Sequence, residues 1–295
     1  MKKRDWSKYN KALVERGNVT FYIDENILKR DRKMTTFGRP RIFSHPLIQL
    51  LLILKIQYSL SYRMLEGFAK NTLSYLYPKI SLPSYSVICR RAAELKDQLP
   101  KLSSRKPQSI LIDATGIKVY GEGEWKVKVQ GKTKRRKWIK LHAGIDERTQ
   151  EVIVLEVTPG NVADCKAGKK VIEKLPKSMK MLKADTGYDT RNIRNLIRKK
   201  GAKSLIPPRK NAVKKGEDEE RDDALCEMRG FGRDRIGRSL WGKITGYSYR
   251  TLVESCFSRF KRLFSASFFS RGMVRQTVEG NLKCYMLNKM VQQMA

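Results

Sequence analysis

Hydrophobic periodicity changes near residue 101, and no other feature restricts the possible folds as much. Before it, apolar positions recur at helical spacing in three segments: Pro46 to about Gln57, Tyr62 to about Lys70 and Tyr85 to about Gln98. After the polar junction Lys101-Leu-Ser-Ser-Arg-Lys-Pro-Gln108, short strand-like runs follow: Ser109 to Asp113, Gly116 to Gly121, Trp138 to Asp146 and Glu151 to Thr158. The last two are joined by the turn Asp146-Glu-Arg-Thr-Gln150. Helix and strand then alternate, with a helix from Asp164 to about Leu175, a strand over Met181–Asp185, a helix over Thr190–Lys200, and a strand over Lys203–Ile206 closed by Pro207-Pro208. The pattern predicts a basic arm over 1–43, a helical domain over 44–100 and an α/β domain over 101–295.

Local signals refine that outline. Pro46 suits the first turn of a helix, and Ser61 and Ser84 are placed to cap the next two. Two short helices followed by a longer one carrying Arg90 and Arg91 would suit a helix-turn-helix unit that reads DNA, or equally an ordinary three-helix packing module. In the arm, Gly38-Arg-Pro-Arg41 fits either a minor groove or a solvated linker. Residues 209–240 form a polar, glycine-spaced insertion. Its acidic run Glu217–Asp223 is expected to be a solvated, mobile face, not a metal site. A closing helix is expected over Arg271–Met290, with Arg271, Arg275, Gln276 and Glu279 on its polar side.

Lys and Arg number 63 against 29 acids, a formal charge of +34 spread over the whole length. Such a charge repels itself unless a polyanion relieves it, which points to nucleic acid. The greasiest run, Leu47–Leu54, is far shorter than a membrane span of ~20 residues. Five scattered cysteines with no C-x-x-C pair, and an amino terminus without a signal peptide, read as reduced thiols in the cytoplasm. The two histidines, His45 and His142, stand far apart, which argues against a zinc site or a histidine-based triad. Carboxylates are left to do any chemistry.

Residues 247–264 form an amphipathic helical pattern. At about 100° per residue, Tyr247, Arg250, Glu254 and Lys261 fall within an arc of roughly 60°. Val253, Cys256, Phe257, Phe260, Leu263 and Phe264 make a neighbouring apolar arc that must face a core. Read in isolation, Arg250 and Glu254 are an i,i+4 surface pair. The order of elements gives them another meaning, because three antiparallel strands followed by helix, strand, helix, strand and helix is that of an RNase H-like α/β fold, a mixed sheet flanked by helices. In such a sheet, acids on the first strand, on the strand after the first helix and on a late helix converge. Asp113, Asp185 and Glu254 occupy those places. Hard divalent ions want oxygen ligands, and a pair of them neutralises both oxygens of an in-line phosphoryl displacement. Asp146 and Glu279 are lower-ranked rivals for a metal role.

The Y-x2-R-x3-E-x6-K spacing of Tyr247, Arg250, Glu254 and Lys261 resembles the signature of DDE transposases encoded by bacterial insertion sequences. The blocks Ile112-Asp-Ala-Thr-Gly-Ile-Lys-Val-Tyr120, Trp138-Ile-Lys-Leu-His142, Asp185-Thr-Gly-Tyr-Asp-Thr190 and Ile206-Pro-Pro-Arg209 extend the resemblance to roughly residues 15–290. It implies an enzyme that binds the terminal inverted repeats of its element as a dimer or larger assembly, cuts DNA with Mg2+ or, in substitution, Mn2+, and joins the freed end to target DNA. Asp113, Asp185 and Glu254 would be both catalytic and metal-ligating, and Tyr247, Arg250 and Lys261 would clamp phosphates. A hairpin tip carrying Lys134, Arg135 and Arg136 would ride on double-stranded DNA or be a solvated basic turn, and Trp125 and Trp241 are either packed core residues, the favoured reading, or candidates to stack an unpaired base. Bacterial cytoplasm, with nucleoid association when bound to DNA, is the expected location. The competing readings are a non-catalytic DNA-binding protein, such as a decayed transposase or a repressor, and a basic RNA-binding protein. Neither explains the three acids.

Overall fold

Two units divide the chain: Met1–Lys101 together with Ser270–Ala295, and Leu102–Phe269. The computed structural model describes residues 5–23, 42–120, 138–216, 218–232 and 235–293. The basic arm motif at 38–41 and the hairpin tip with Trp125, Lys134, Arg135 and Arg136 lie outside the described residues.

In the first unit, Asp5 caps helix α1 (Trp6–Glu15) by accepting from the Lys8 amide at 3.1 Å. Helix α2 (His45–Gln57) buries every apolar side chain of Leu47–Leu54, because a helix apolar all round must be enclosed. Ser44 caps it, accepting from the Leu47 amide at 3.3 Å. Helix α3 (Tyr62–Leu76) runs further than the sequence pattern suggests and is capped by Ser61, whereas helix α4 (Tyr85–Glu94) ends early in a 3-10 turn over Leu95–Gln98. Ser84 makes no capping bond. The Glu66 carboxylate takes the Tyr85 amide at 2.7 Å instead. A connection of helix-turn-helix length joins α2 to α3, over residues 58–61, while α3 and α4 are separated by residues 77–84. Among the described helices, none is long and apolar enough to cross a membrane.

The second unit is built on six described strands: β1 (Ser109–Val119), β2 (Trp138–Asp146), β3 (Val152–Pro159), β4 (Met181–Ala184), β5 (Lys203–Leu205) and the two-residue β6 (Ser267–Phe268). Their order is β3-β2-β1-β4-β5, with β6 alongside the far end of β1. β1, β2 and β3 are antiparallel, and β4 and β5 run parallel to β1, which is the RNase H-like arrangement. The expected first two strands are one, since Thr115 and Gly116 pair with Leu141 and Lys140 and carry the ladder across the polar stretch. Asp146 shapes the β2–β3 turn, accepting from the Arg148 amide and the Thr149 hydroxyl, so it is a turn residue and not a rival ligand.

Helices α5 (Asp164–Lys174) and α6 (Arg191–Lys199) cover one face of the sheet. Val171, Ile172, Ile193 and Ile197 meet Ile110, Ile112, Leu182 and Ala184 in a single core. The expected solvated insertion is folded into helices α7 (Glu219–Gly230) and α8 (Arg235–Ile244). Acids favour a helix amino terminus, and the described part of the acidic run sits at one. Asp218 caps α7, Glu220 accepts from the Ser204 amide and hydroxyl, and buried Asp222 takes the Lys215 and Gly216 amides. Helix α9 (Thr251–Phe264) packs against β1 and buries Val253, Cys256, Phe257, Phe260 and Phe264. Leu263, expected in that core, is 42% exposed, one step beyond the buried stripe.

The last helix, α10 (Met273–Gln292), belongs to the first unit and not to the α/β domain over 101–295 that the periodicity suggests. It packs on α2 and α4, and Arg275 donates to the Cys89 carbonyl at 3.1 Å. Its expected polar side is partly internal. Gln276 donates to the Ser270 carbonyl, and Glu279 pairs with Lys283 at 2.8 Å while accepting from the Ser270 amide. Burial would raise the Glu279 carboxyl, but Lys283 and the Ser270 bonds outweigh it and hold it below its ordinary value. Glu279 is therefore a core ion-pair partner within the helical unit.

Candidate active site

Parallel pairing of β1 with β4 sets two acids side by side. The register ends at Ile112↔Ala184, so Asp113 and Asp185 come next on adjacent chains, with strands about 4.8 Å apart. β4 stops there while β1 continues to Val119, leaving a step in the sheet where polar groups reach solvent. Side chains alternate along a strand, so with Ile110 and Ile112 committed to the core under α5 and α6, Asp113 projects from the opposite face. Its carboxylate accepts from the Ala114 amide at 2.8 Å. Asp185 is exposed and caps the 3-10 turn Thr186–Tyr188, accepting from the Thr186 amide at 2.7 Å.

The third acid arrives on α9. The helix expected to begin at Tyr247 starts instead as a 3-10 turn, Tyr247–Arg250, after Gly246 at φ +71°, a left-handed conformation that suits glycine. The turn delivers Arg250 between two acids. Its guanidinium donates to Asp113 Oδ2 at 3.0 Å and to Glu254 Oε1 at 2.9 Å. Strand and helix residues far apart in sequence thus share one cation.

Electrostatics bear the marks of crowding. Burial pushes the Asp113 carboxyl up, and Asp185 and Glu254 add to the rise, while the Ala114 amide and Arg250 oppose it without cancelling it. Burial works against the charge on Arg250, but Tyr247, Asp113, Asp185 and Glu254 more than restore it, and its pKa is raised. Burial also pushes the Tyr247 phenol up to about 12, so it remains a proton donor at neutral pH.

Three carboxylates near one step in a sheet offer the all-oxygen donors that Mg2+ or Mn2+ takes. The residues fit such an ion in chemistry. Among the described residues, however, no three acid, cysteine or histidine side chains are close enough together to hold a metal as they stand. Arg250 supplies the positive charge between Asp113 and Glu254.

The other residues singled out by sequence separate clearly. Lys261 lies on α9, half-buried and without an ion pair to the three acids. Arg90 is exposed on α4, but Arg91 is 6% exposed, donates to the Phe43 carbonyl and pairs with Glu94. Arg91 is thus a structural residue and not the DNA contact that its neighbour can be. Trp241 is 1% exposed, packs with Ala224 and Met228, and donates to Glu227 at 2.9 Å, which makes it a core residue and not a base-stacking platform.

Two residues of the site carry no strong sequence signal. Tyr188 is 2% exposed, and its hydroxyl is buried without a hydrogen-bond partner among the described residues. Burial pushes the phenol far up, with Asp113, Asp164 and Asp185 reinforcing the shift. Gly168 on α5 makes room for it, since a Cβ there would lie 2.5 Å from Tyr188 Cε1. Lys183 is buried on β4, and its one signal is a lysine inside the otherwise apolar Met181-Leu-Lys-Ala184.

A sequence-family model described as "Transposase DDE domain" matches residues 104–289, and a second with the same description matches 14–122. Among solved structures, the chain is similar to that of a pre-cleavage Mos1 transpososome, at 11% identity and a TM-score of 0.26, covering 81% of this chain and 83% of that one. It is also similar to the Mos1 mariner paired end complex with Mn, at 12% identity and a TM-score of 0.24, covering 91% and 90%. The first family match alone spans more than half of the residues, and the chain belongs to the DDE transposase family.

Proposed function

We propose that this transposase binds the terminal inverted repeats of its own element as a dimer or larger assembly, hydrolyses the strand at each end, and transfers the freed 3′-hydroxyl to target DNA. The observation that carries the reading is that Arg250 donates to both Asp113 and Glu254 at the step beside β4, where Asp185 is the next residue on the strand adjacent to that of Asp113. Asp113 and Asp185 would hold divalent cations from the sheet and Glu254 from α9, with Mg2+ the expected ion and Mn2+ its substitute. Such a pair of ions, when bound, supplies charge neutralisation at the attacking and leaving oxygens.

The chain's own residues do the rest. The Arg250 fork, released from the carboxylates, matches a phosphate in bidentate geometry. Tyr247, protonated at neutral pH, donates to a phosphate oxygen. Lys261, along the same helix, adds a point charge further along the backbone. The +34 charge supplies sequence-independent affinity through counterion release, with Arg90 on α4 and the basic residues Lys134, Arg135 and Arg136 as contacts. The expected setting is the bacterial cytoplasm.

The test uses supercoiled DNA carrying the element's ends, with and without Mg2+. Asp113→Ala, Asp185→Ala and Glu254→Ala should each lose cleavage by at least about 100-fold while end binding stays within a few-fold. A variant that still cuts at the wild-type rate removes that residue from the mechanism. Metal-independent cleavage, or end binding with no cleavage under any condition, overturns the reading as a whole.

A further inference from the structure

Lys183 lies on β4, two residues before Asp185. Its neighbours Leu182 and Ala184 face the core under α5 and α6, so Lys183 points to the other side, the side of the acids. Only 5% of its side chain is exposed. The ammonium donates to Glu147 Oε1 at 2.8 Å and to the Gly246 carbonyl at 2.8 Å, and lies 5.4 Å from the centre of the Tyr249 ring. The other oxygen of Glu147 accepts from the Ser109 hydroxyl at the start of β1.

These contacts form one chain. Ser109 begins the strand of Asp113, Lys183 is on the strand of Asp185, and Gly246 opens the turn that delivers Arg250 and Glu254. A single buried ammonium, with Glu147 as its counter-ion, thereby ties together all three elements that carry the acids. It hydrogen-bonds none of the acids itself.

Stability does not account for this arrangement. A buried ion pair loses so much hydration that apolar residues of similar size commonly do as well or better. What an apolar residue cannot do is fix the Gly246 carbonyl, because a hydrogen bond has direction and packing does not. Gly246, at φ +71°, presents that carbonyl at the bend from which the Tyr247–Arg250 turn departs.

We infer that Lys183 is a positioning residue: together with Glu147 it clamps the Gly246–Arg250 turn to the sheet, so that Glu254 stands in register with Asp113 and Asp185 for divalent-cation binding. The inference rests on the proposed role of those three acids. Its test is made on the full chain without DNA, using Mn2+ binding followed by electron paramagnetic resonance together with amide hydrogen exchange. Lys183→Met should retain the fold, bind Mn2+ about tenfold or more weakly, and exchange the amides of 246–254 about tenfold faster while those of 109–113 stay unchanged. Glu147→Gln, which keeps the shape and an acceptor, should move both readings the same way by about threefold.

Wild-type exchange over 246–254 in folded Lys183→Met overturns the inference, as does wild-type Mn2+ affinity. If that variant does not fold, Glu147→Gln decides alone by the same two readings. Asp113→Ala, Asp185→Ala and Glu254→Ala separate this inference from the reading beneath it. Should all three bind Mn2+ like wild type, the metal reading fails, and the exchange data still decide whether Lys183 holds the turn.

Discussion

Arg250 donates to Asp113 at 3.0 Å, joining a turn to a strand 137 residues earlier in the sequence. The bond offsets part of the repulsion that Asp185 and Glu254 impose on Asp113. Arg250→Met should therefore lower the stability of the metal-free protein by about 1–3 kcal/mol. Little of that comes from the pair with Glu254, whose side chain is 58% exposed. Mn2+ should raise the melting temperature of the variant more than that of wild type, because it replaces the missing charge. Equal gains in the two proteins would show that guanidinium and metal do not serve the same acids.

Asp113 also sets a pH dependence. Burial raises its pKa in the folded state above the ordinary 3.8, so the folded protein binds its proton more readily than the unfolded chain does. Its contribution is then most favourable below 3.8 and declines as pH rises through the folded value, leaving a constant penalty at neutral pH. Asp113→Asn should be more stable than wild type at pH 7, and the difference should shrink towards about pH 3.5. Thermal unfolding at the two pH values checks the sign, and a variant less stable at pH 7 than at acid pH, relative to wild type, contradicts it.

The glycine under Tyr188 gives a steric test. Gly168→Ala places a methyl 2.5 Å from the Tyr188 ring, which is itself buried against the core. Overpacking of this kind costs about 1–3 kcal/mol. It should also disturb the Asp185 turn, so cleavage should fall by more than the loss of folded protein explains. A cleavage rate per folded molecule equal to wild type would confine the effect to packing.

Adjacent arginines on α4 should behave differently. Arg91→Ala removes a buried donor to the Phe43 carbonyl and the partner of Glu94, and should cost about 1–3 kcal/mol in stability. Arg90→Ala should change stability by less than about 0.5 kcal/mol and weaken DNA binding, with the salt-dependence slope falling by about 1 if it meets a phosphate. Denaturant titration paired with binding at several salt concentrations separates the two.

Part of the arrangement is legible in the sequence, because the order of elements puts Asp113 and Asp185 at adjacent strand ends and helical spacing sets Arg250 beside Glu254. Where the sequence misleads, the cause is a partner distant along the chain. The polar stretch Ala114–Gly116 looks like a break between strands, but β2 pairs across it. The acidic run looks solvated, and Glu219 and Asp223 are exposed, but Ser204, Lys215 and Gly216 donate to Glu220 and Asp222. Arg91 and Arg90 are indistinguishable by composition, and only the position of Phe43 assigns one of them inward. Lys183 is hidden for the same reason, since a buried lysine is intelligible only once Glu147 and Gly246 stand beside it.

That α10 completes the helical unit has a consequence for the order of events on the ribosome. Helices α2 and α4 emerge early but lack the partner that encloses them until residues 273–292 have been made. The sheet unit, contiguous over Leu102–Phe269, has all its own strands and core helices before then. It is expected to become protease-resistant once residue 269 has cleared the ribosomal tunnel, while α2 and α4 stay cleavable until residues 273–292 have also emerged, a vectorial order that reverses the usual amino-terminus-first sequence.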